Sequence, residues 1–112
     1  MTDLGNGIHL STVAERGWQP DLDIGGQADL VIDGDGTTAG LWRADPDIGG
    51  SPADPVTIPA RETIYVITGR VRIPIGTTDV FDLGPGDMIS LPAGAAVGWD
   101  PTDDCQVFWV YS

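Results

Sequence analysis

From residue 28 onward, apolar positions come in short bursts that alternate with polar ones, and each burst ends at a turn. Leu30-Val31-Ile32 runs into Asp33-Gly34-Asp35-Gly36, a hairpin signal, and Thr38 to Ala44 reads as the return strand. Glu62 to Thr68 is rich in β-branched and aromatic residues, Gly69 turns the chain, and Arg70 to Ile75 alternates strictly. Thr78 to Leu83, Met88 to Leu91, Ala95 to Trp99 and Cys105 to Tyr111 follow, with Gly84-Pro85-Gly86-Asp87 as a further turn. This pattern predicts about eight strands and an all-β barrel or sandwich over residues 28–112. No segment after residue 26 has the length or the 3.6-residue period of a helix. Residues 45–55 read as an irregular loop. Residues 1–27 differ: Leu10, Val13 and Ala14 suit a helical turn, but glycines and Pro20 cut it short, which predicts an arm lying over the barrel.

Length allows one domain and a real core, since 112 residues bury roughly two-thirds of their unfolded surface. With 17 acidic and 5 basic residues the formal charge is −12. Such a field repels phosphate backbones and anionic lipid, so nucleic acid and membrane are not expected partners. Every basic residue is an arginine, which excludes a lysine Schiff base. The acidity itself is read as serving solubility. Cys105 is the single cysteine, so no intrachain disulfide or paired-cysteine metal knuckle forms. The first twenty residues hold no apolar run of signal-peptide length, and a cytoplasmic setting is expected.

Two glycine-bearing stretches stand in a fixed order: Glu62 followed by Gly69 in ETIYVITGRVRI, then Gly86, Pro92 and Gly94 in GPGDMISLPAGAAVGW. The first resembles the end of the first cupin motif, a glutamate and, after six residues, a glycine. The second resembles the start of the second motif, G-x5-P-x-G. With FWVYS at the end of the chain and Trp99 after the second motif, residues 28–112 resemble the small single-domain cupins of the RmlC-like type. The resemblance implies a double-stranded β-helix barrel, or jelly roll. It implies as well that Glu62 points into the barrel. Metal-binding cupins carry two histidines before that glutamate and a third after the Pro-x-Gly glycine. Here those positions fall among Pro55, Val56, Thr57 and Ile58, and on Val97. One carboxylate cannot hold a transition metal, which takes three or four ligands. The expectation is therefore a cupin without a metal or other cofactor.

Glu62 is the candidate catalytic residue. Its strand puts Glu62, Ile64 and Val66 on one face and Thr63, Tyr65 and Ile67 on the other. Both faces are apolar, so one is expected inside the barrel and the other under a partner sheet or subunit, which predicts a homodimer. An inward carboxylate beside Ile64 and Trp99 is desolvated and its pKa rises, which suits proton transfer. Pairing with Arg43 is the structural alternative for Glu62. Trp42, Arg43, Ile64, Met88, Val97, Trp99 and Trp109 are the expected ligand-binding residues, because indoles at the mouth of a small barrel form an apolar pocket. The functional expectation is a small-molecule-binding cupin. If it is an enzyme, it is a metal-independent isomerase, lyase or cyclase; the alternatives are a non-catalytic ligand-binding module and a structural cupin filled by its own side chains. His9, alone among its kind, is expected to be exposed or locally bonded, and Cys105 to be a buried structural thiol. Asp33-Gly34-Asp35-Gly36 fails as a calcium loop, because aligning its glycine puts Val31 and Trp42 at ligand positions.

Overall fold

A computed structural model describes residues 1–34, 36–48 and 55–112. Asp35 of the expected hairpin turn and residues 49–54 of the expected loop lie outside the described residues. The strands are β1 (Thr2–Gly5), β2 (Ile8–Leu10), β3 (Gln19–Pro20), β4 (Gln27–Gly34), β5 (Thr37–Arg43), β6 (Val56–Thr57), β7 (Glu62–Thr68), β8 (Val71–Ile75), β9 (Asp79–Leu83), β10 (Met88–Leu91), β11 (Ala96–Val97), β12 (Asp100–Pro101) and β13 (Gln106–Tyr111). Val13–Glu15 makes one 3-10 turn. Among the described residues no helix is long and apolar enough to cross a membrane.

The strands form two main antiparallel sheets. One has six strands in the order β10-β7-β13-β5-β4-β3; the other runs β12-β8-β11-β6, with β9 paired to β8. This is the all-β barrel of two packed sheets expected from the strand pattern. Both partners of the central β7–β13 pair alternate in facing, so register decides which side chains meet inside. β13 pairs with β7 on one side and β5 on the other, matching Tyr111 to Glu62 and Thr38, Trp109 to Ile64 and Gly40, and Val107 to Val66 and Trp42. These rows face the second sheet, where Val71, Ile73 and Val97 close the core. Gly69 is required at its turn: its φ is +69°, and an added Cβ would stand 2.7 Å from the Cys105 backbone.

The N-terminal arm departs from the expectation. Instead of one cut-short helical turn it also holds the β1–β2 hairpin, and β3 then adds an edge strand to the larger sheet. The signal was local: Asn6-Gly7 is a hairpin dipeptide, and Asn6 adopts the positive φ of 54° that such a turn requires. The arm is held by charge. Asp29 on β4 is only 3% exposed. The Ser11 hydroxyl donates to its Oδ2 at 2.7 Å and accepts from Arg16 Nη1 at 2.9 Å, while Arg16 Nη1 stands 3.5 Å from the same carboxylate. The segment expected as one strand from Ala95 to Trp99 is shorter: β11 ends at Val97, Trp99 lies in the bend after it, and β12 follows.

Candidate functional site

The space between the sheets is not filled. A cavity of about 840 Å³ opens at the end of the barrel where the arm crosses. Its walls come from the inward rows. β7 contributes Glu62 and Ile64, β13 contributes Val107, Trp109 and Tyr111, and β5 contributes Thr38 and Trp42. Val56, Ile58, Val97 and Trp99 form the opposite wall, and the arm segment from Gly17 to Ile24 forms the rim.

The indoles are fixed before any ligand arrives. Trp42 is 2% exposed and meets Trp99 edge-to-face, with ring centroids 5.4 Å apart and planes at 85°. Its Nε1 donates to the Gly25 carbonyl at 2.9 Å, so this indole offers the cavity hydrocarbon rather than its N–H. Trp109 packs against Tyr111 at 5.1 Å. Edge-to-face and tilted pairs of this kind are favourable beyond simple burial and hold the rings in place.

Glu62 is the polar group of this wall. Cross-strand register places it beside Tyr111, whose hydroxyl donates to it. Burial pushes the Glu62 carboxyl above its ordinary value of 4.5, and the Tyr111 hydrogen bond offsets part of that rise. The Tyr111 hydroxyl moves upward as well, first through burial, then through the Glu62 charge and hydrogen bond, and then through the charges of Asp21 and Asp23 on the rim. Asp21 is itself set by a tight turn, its Oδ1 accepting from the backbone N–H of Asp23 at 3.0 Å and of Ile24 at 3.2 Å.

The structure brings together six of the eight residues expected at the site: Glu62, Trp42, Ile64, Val97, Trp99 and Trp109. It moves two elsewhere. Arg43 follows the inward Trp42 and therefore points out; its guanidinium stacks 4.1 Å over Trp18, and Nε donates to Gln27 Oε1 at 2.7 Å. Arg43 thus neither lines the cavity nor pairs with Glu62. Met88 sits opposite Tyr65 on the outer face of β10 and is 70% exposed. Tyr111, Asp21 and Asp23 were not among the expected residues. Tyr111 was within reach of the alternation, two positions after Trp109 on the same strand. The two aspartates lie in an arm without periodicity, and no signal in the chain pointed to them.

His9 lies in the arm hairpin, where Nδ1 stands 3.2 Å from Met1 Sδ, and it does not reach the cavity. Cys105 is buried, and burial together with Asp104 pushes its thiol up to about 11, the inert thiol expected.

A double-stranded β-helix barrel with a side-chain-lined interior is the architecture of the cupins. The chain belongs to the EutQ-like cupin domain family, whose family model matches residues 36–106. Among solved structures it is similar to ethanolamine utilization protein Q of Salmonella typhimurium LT2, at 15% identity and a TM-score of 0.71, over 96% of this chain and 88% of that one. It is similar to KdgF from Halomonas sp. at 19% identity and a TM-score of 0.68, over 96% and 94% of the two chains. It is also similar to the hydroxypropylphosphonic acid epoxidase of S. wedmorenis at 13% identity and a TM-score of 0.70, covering 98% of this chain but 62% of that one. At these identities the likeness establishes the fold. No curated protein matches the chain by sequence.

The epoxidase, abbreviated HppE, is a ferrous protein by its description, so the donor set here must be tested for a metal. Val56, Ile58 and Val97 present hydrocarbon to the cavity. Among the described residues no three His, Cys, Asp or Glu side chains are grouped to hold an ion. Glu62 with a tyrosine hydroxyl and aliphatic neighbours does not fit a transition metal.

Proposed function

We propose that the chain is a small-molecule-binding cupin that performs metal-independent acid–base chemistry, with Glu62 as the proton acceptor. The observation that carries this reading is the open cavity reaching Glu62. A carboxylate in such a wall, its pKa raised by burial, is a stronger base than an exposed one and is suited to take a proton from carbon or oxygen. The reaction class is isomerase, lyase or cyclase chemistry on a small carbonyl-containing metabolite. Tyr111 positions the carboxylate through its hydrogen bond, and the indole walls exclude water. The cavity's openness speaks against a structural cupin packed shut by Trp42 and Trp99. A non-catalytic binding module is the second reading, favoured by the Tyr111 hydrogen bond that already occupies part of the Glu62 acceptor capacity.

The test is proton exchange. A panel of small carbonyl metabolites is incubated with the protein in D2O, and loss of C–H signals is followed by NMR. The expected result is exchange that survives chelation and falls by on the order of 10²–10⁴-fold in Glu62→Gln. Exchange that persists in that variant, or that chelation abolishes, overturns the assignment. Binding without exchange leaves the non-catalytic module in its place.

A second copy of the chain is proposed to cover the outer face of the larger sheet. Register aligns Met88, Tyr65 and Phe108 across β10, β7 and β13, and Ile67 adjoins them. All four are exposed, a row of large apolar groups of the kind that self-associating surfaces present. The reduced, buried Cys105 is compatible with the cytoplasm, where we place the protein.

A further inference from the structure

We infer that the cavity selects a ligand carrying a positive charge, a quaternary or protonated amine, bound by its indole walls and rim carboxylates. This rests on the reading of the cavity as a ligand site and adds the chemical class of what enters it. The first observation is the sign of the lining. Glu62, Asp21, Asp23 and Asp29 border the cavity, and among the described residues no arginine, lysine or histidine side chain does; the Met1 amine at the rim is one positive group against these four carboxylates. The nearest candidates for neutralising them are engaged elsewhere. Arg16 is tied to Asp29 and Ser11, and Arg43 to Trp18 and Gln27. Asp29 is excluded from the argument because Arg16 already balances it. Asp21, Asp23 and Glu62 all lie close enough to Tyr111 for their charges to bear on its hydroxyl, so the three surround one end of the cavity.

The second observation is the wall material. Trp42, Trp99 and Trp109 line one cavity, and an indole face attracts a cation more strongly than any other side-chain ring. Three aromatic walls with carboxylates at one end have the composition of sites that hold alkylated ammonium groups. An anionic ligand would meet the opposite conditions. A phosphonate or carboxylate placed here would be desolvated against hydrocarbon with carboxylates at the rim and, among the described residues, no arginine, lysine or histidine side chain to meet it.

The probes are choline, its uncharged carbon isostere 3,3-dimethylbutan-1-ol, and the anion 3,3-dimethylbutanoate. Binding to the full chain is read by calorimetry and by the change in tryptophan emission at about 0.15 M salt, where the Debye length is about 8 Å and diffuse attraction to the acidic surface is screened. Choline is expected to bind at least about tenfold more tightly than the isostere, a difference of about 1.4 kcal/mol. Asp21→Asn/Asp23→Asn is expected to lose most of that preference while binding the isostere unchanged. Asn keeps the acceptor that holds the 21–24 turn, and Asp23→Asn alone serves if the double variant melts early. Asp79→Asn/Asp103→Asn removes the same two charges from residues that do not line the cavity, and is expected to keep the preference. The inference is overturned if the isostere or the anion binds as well as choline, or if the rim variant and the surface variant behave alike. In either case binding that perturbs the indoles still supports the cavity as a ligand site. If none of the three probes perturbs them up to about 10 mM, a bound state weaker than about 3 kcal/mol, both readings fall.

Discussion

Replacing Glu62 by glutamine separates a carboxylate held for chemistry from one held for structure. The variant keeps the shape of the side chain and an acceptor for Tyr111, but can no longer ionise. Two effects oppose each other. Relief from desolvating a charge favours glutamine by about 1–3 kcal/mol. Exchanging a charged for a neutral acceptor weakens the Tyr111 hydrogen bond by about 1–2 kcal/mol. The direction of the Glu62 pKa decides which wins: it is raised, so the fold prefers the uncharged form. Because Arg43 points away, no buried cation is orphaned, and the loss of about 3–5 kcal/mol that follows breaking a buried ion pair does not arise. The variant should therefore melt at the same temperature as the parent or up to about 5 °C higher at pH 7, given roughly 4–8 °C per kcal/mol in a domain near this size.

The pH dependence fixes the cause. In the unfolded chain Glu62 ionises near its ordinary 4.5, before it does so in the fold. The parent is thus unpenalised below that pH, loses stability as pH rises toward the folded pKa, and carries the full penalty above it. Melting of parent and variant is measured side by side from pH 4 to pH 8, so that the many surface aspartates cancel. The curves should converge at the acid end and separate toward neutrality, with the variant higher. A fall of more than about 10 °C in the variant at pH 7, or a gap that widens on acidification, would refute the argument.

Three further outcomes test the frame around the site. Gly40→Ala puts a methyl 2.8 Å from the Leu30 Cα and against the Asp29 carbonyl, so β4 and β5 must separate; urea unfolding should show a loss of about 3 kcal/mol, and a loss under about 0.5 contradicts the packing. Arg16→Met leaves the Asp29 carboxylate with Ser11 alone; a loss of about 1–3 kcal/mol and faster proteolysis within residues 1–20 are expected, and an unchanged digestion pattern would show that charge does not hold the arm. Phe108→Glu places a charge in the exposed apolar row, and sedimentation should show a parent dimer reduced to monomer with melting little changed; a parent that already sediments as a monomer removes the proposed interface.

Much of the barrel was legible because its signals are local. β7 runs from Glu62 to Thr68 and β10 from Met88 to Leu91, as alternation between turn glycines predicts. The same parity puts Trp42 inside, and it ought to have sent the adjacent Arg43 outside. Met88 was misplaced for a related reason: Ser90, two positions on, is polar, and the register Met88↔Tyr65 confirms that this parity faces out. The arm was not legible, since the packing of β3 on β4 and the Arg16–Asp29 tie are long-range facts that no local period encodes. The rim of the site was hidden with it. Asp21 and Asp23 reach the cavity only because the arm folds back across the barrel mouth.

The hydrocarbon residues of the cavity bear on the chemistry as much as Glu62 does. A carboxylate that coordinates a cation is held ionised, with its proton affinity lowered. Where histidine ligands would stand in a metal-binding cupin, Val56, Ile58 and Val97 share the cavity with Glu62. Aliphatic neighbours act in the reverse sense: they withdraw solvent and raise the proton affinity of the same carboxylate. On the proposed reading, hydrocarbon that offers a metal no ligand also withdraws solvent from Glu62, and burial of that kind raises its pKa. Placing a histidine at Val97 offers a direct check on this coupling. A partly charged imidazole across the cavity would favour the ionised form of the carboxylate, so the gap in melting temperature between Glu62→Gln and its parent at pH 7 should shrink in the Val97→His background, while the pH at which the gap first opens stays near the unfolded value of 4.5. If that gap does not shrink, hydrocarbon packing at Val97 is not what sets the Glu62 proton affinity.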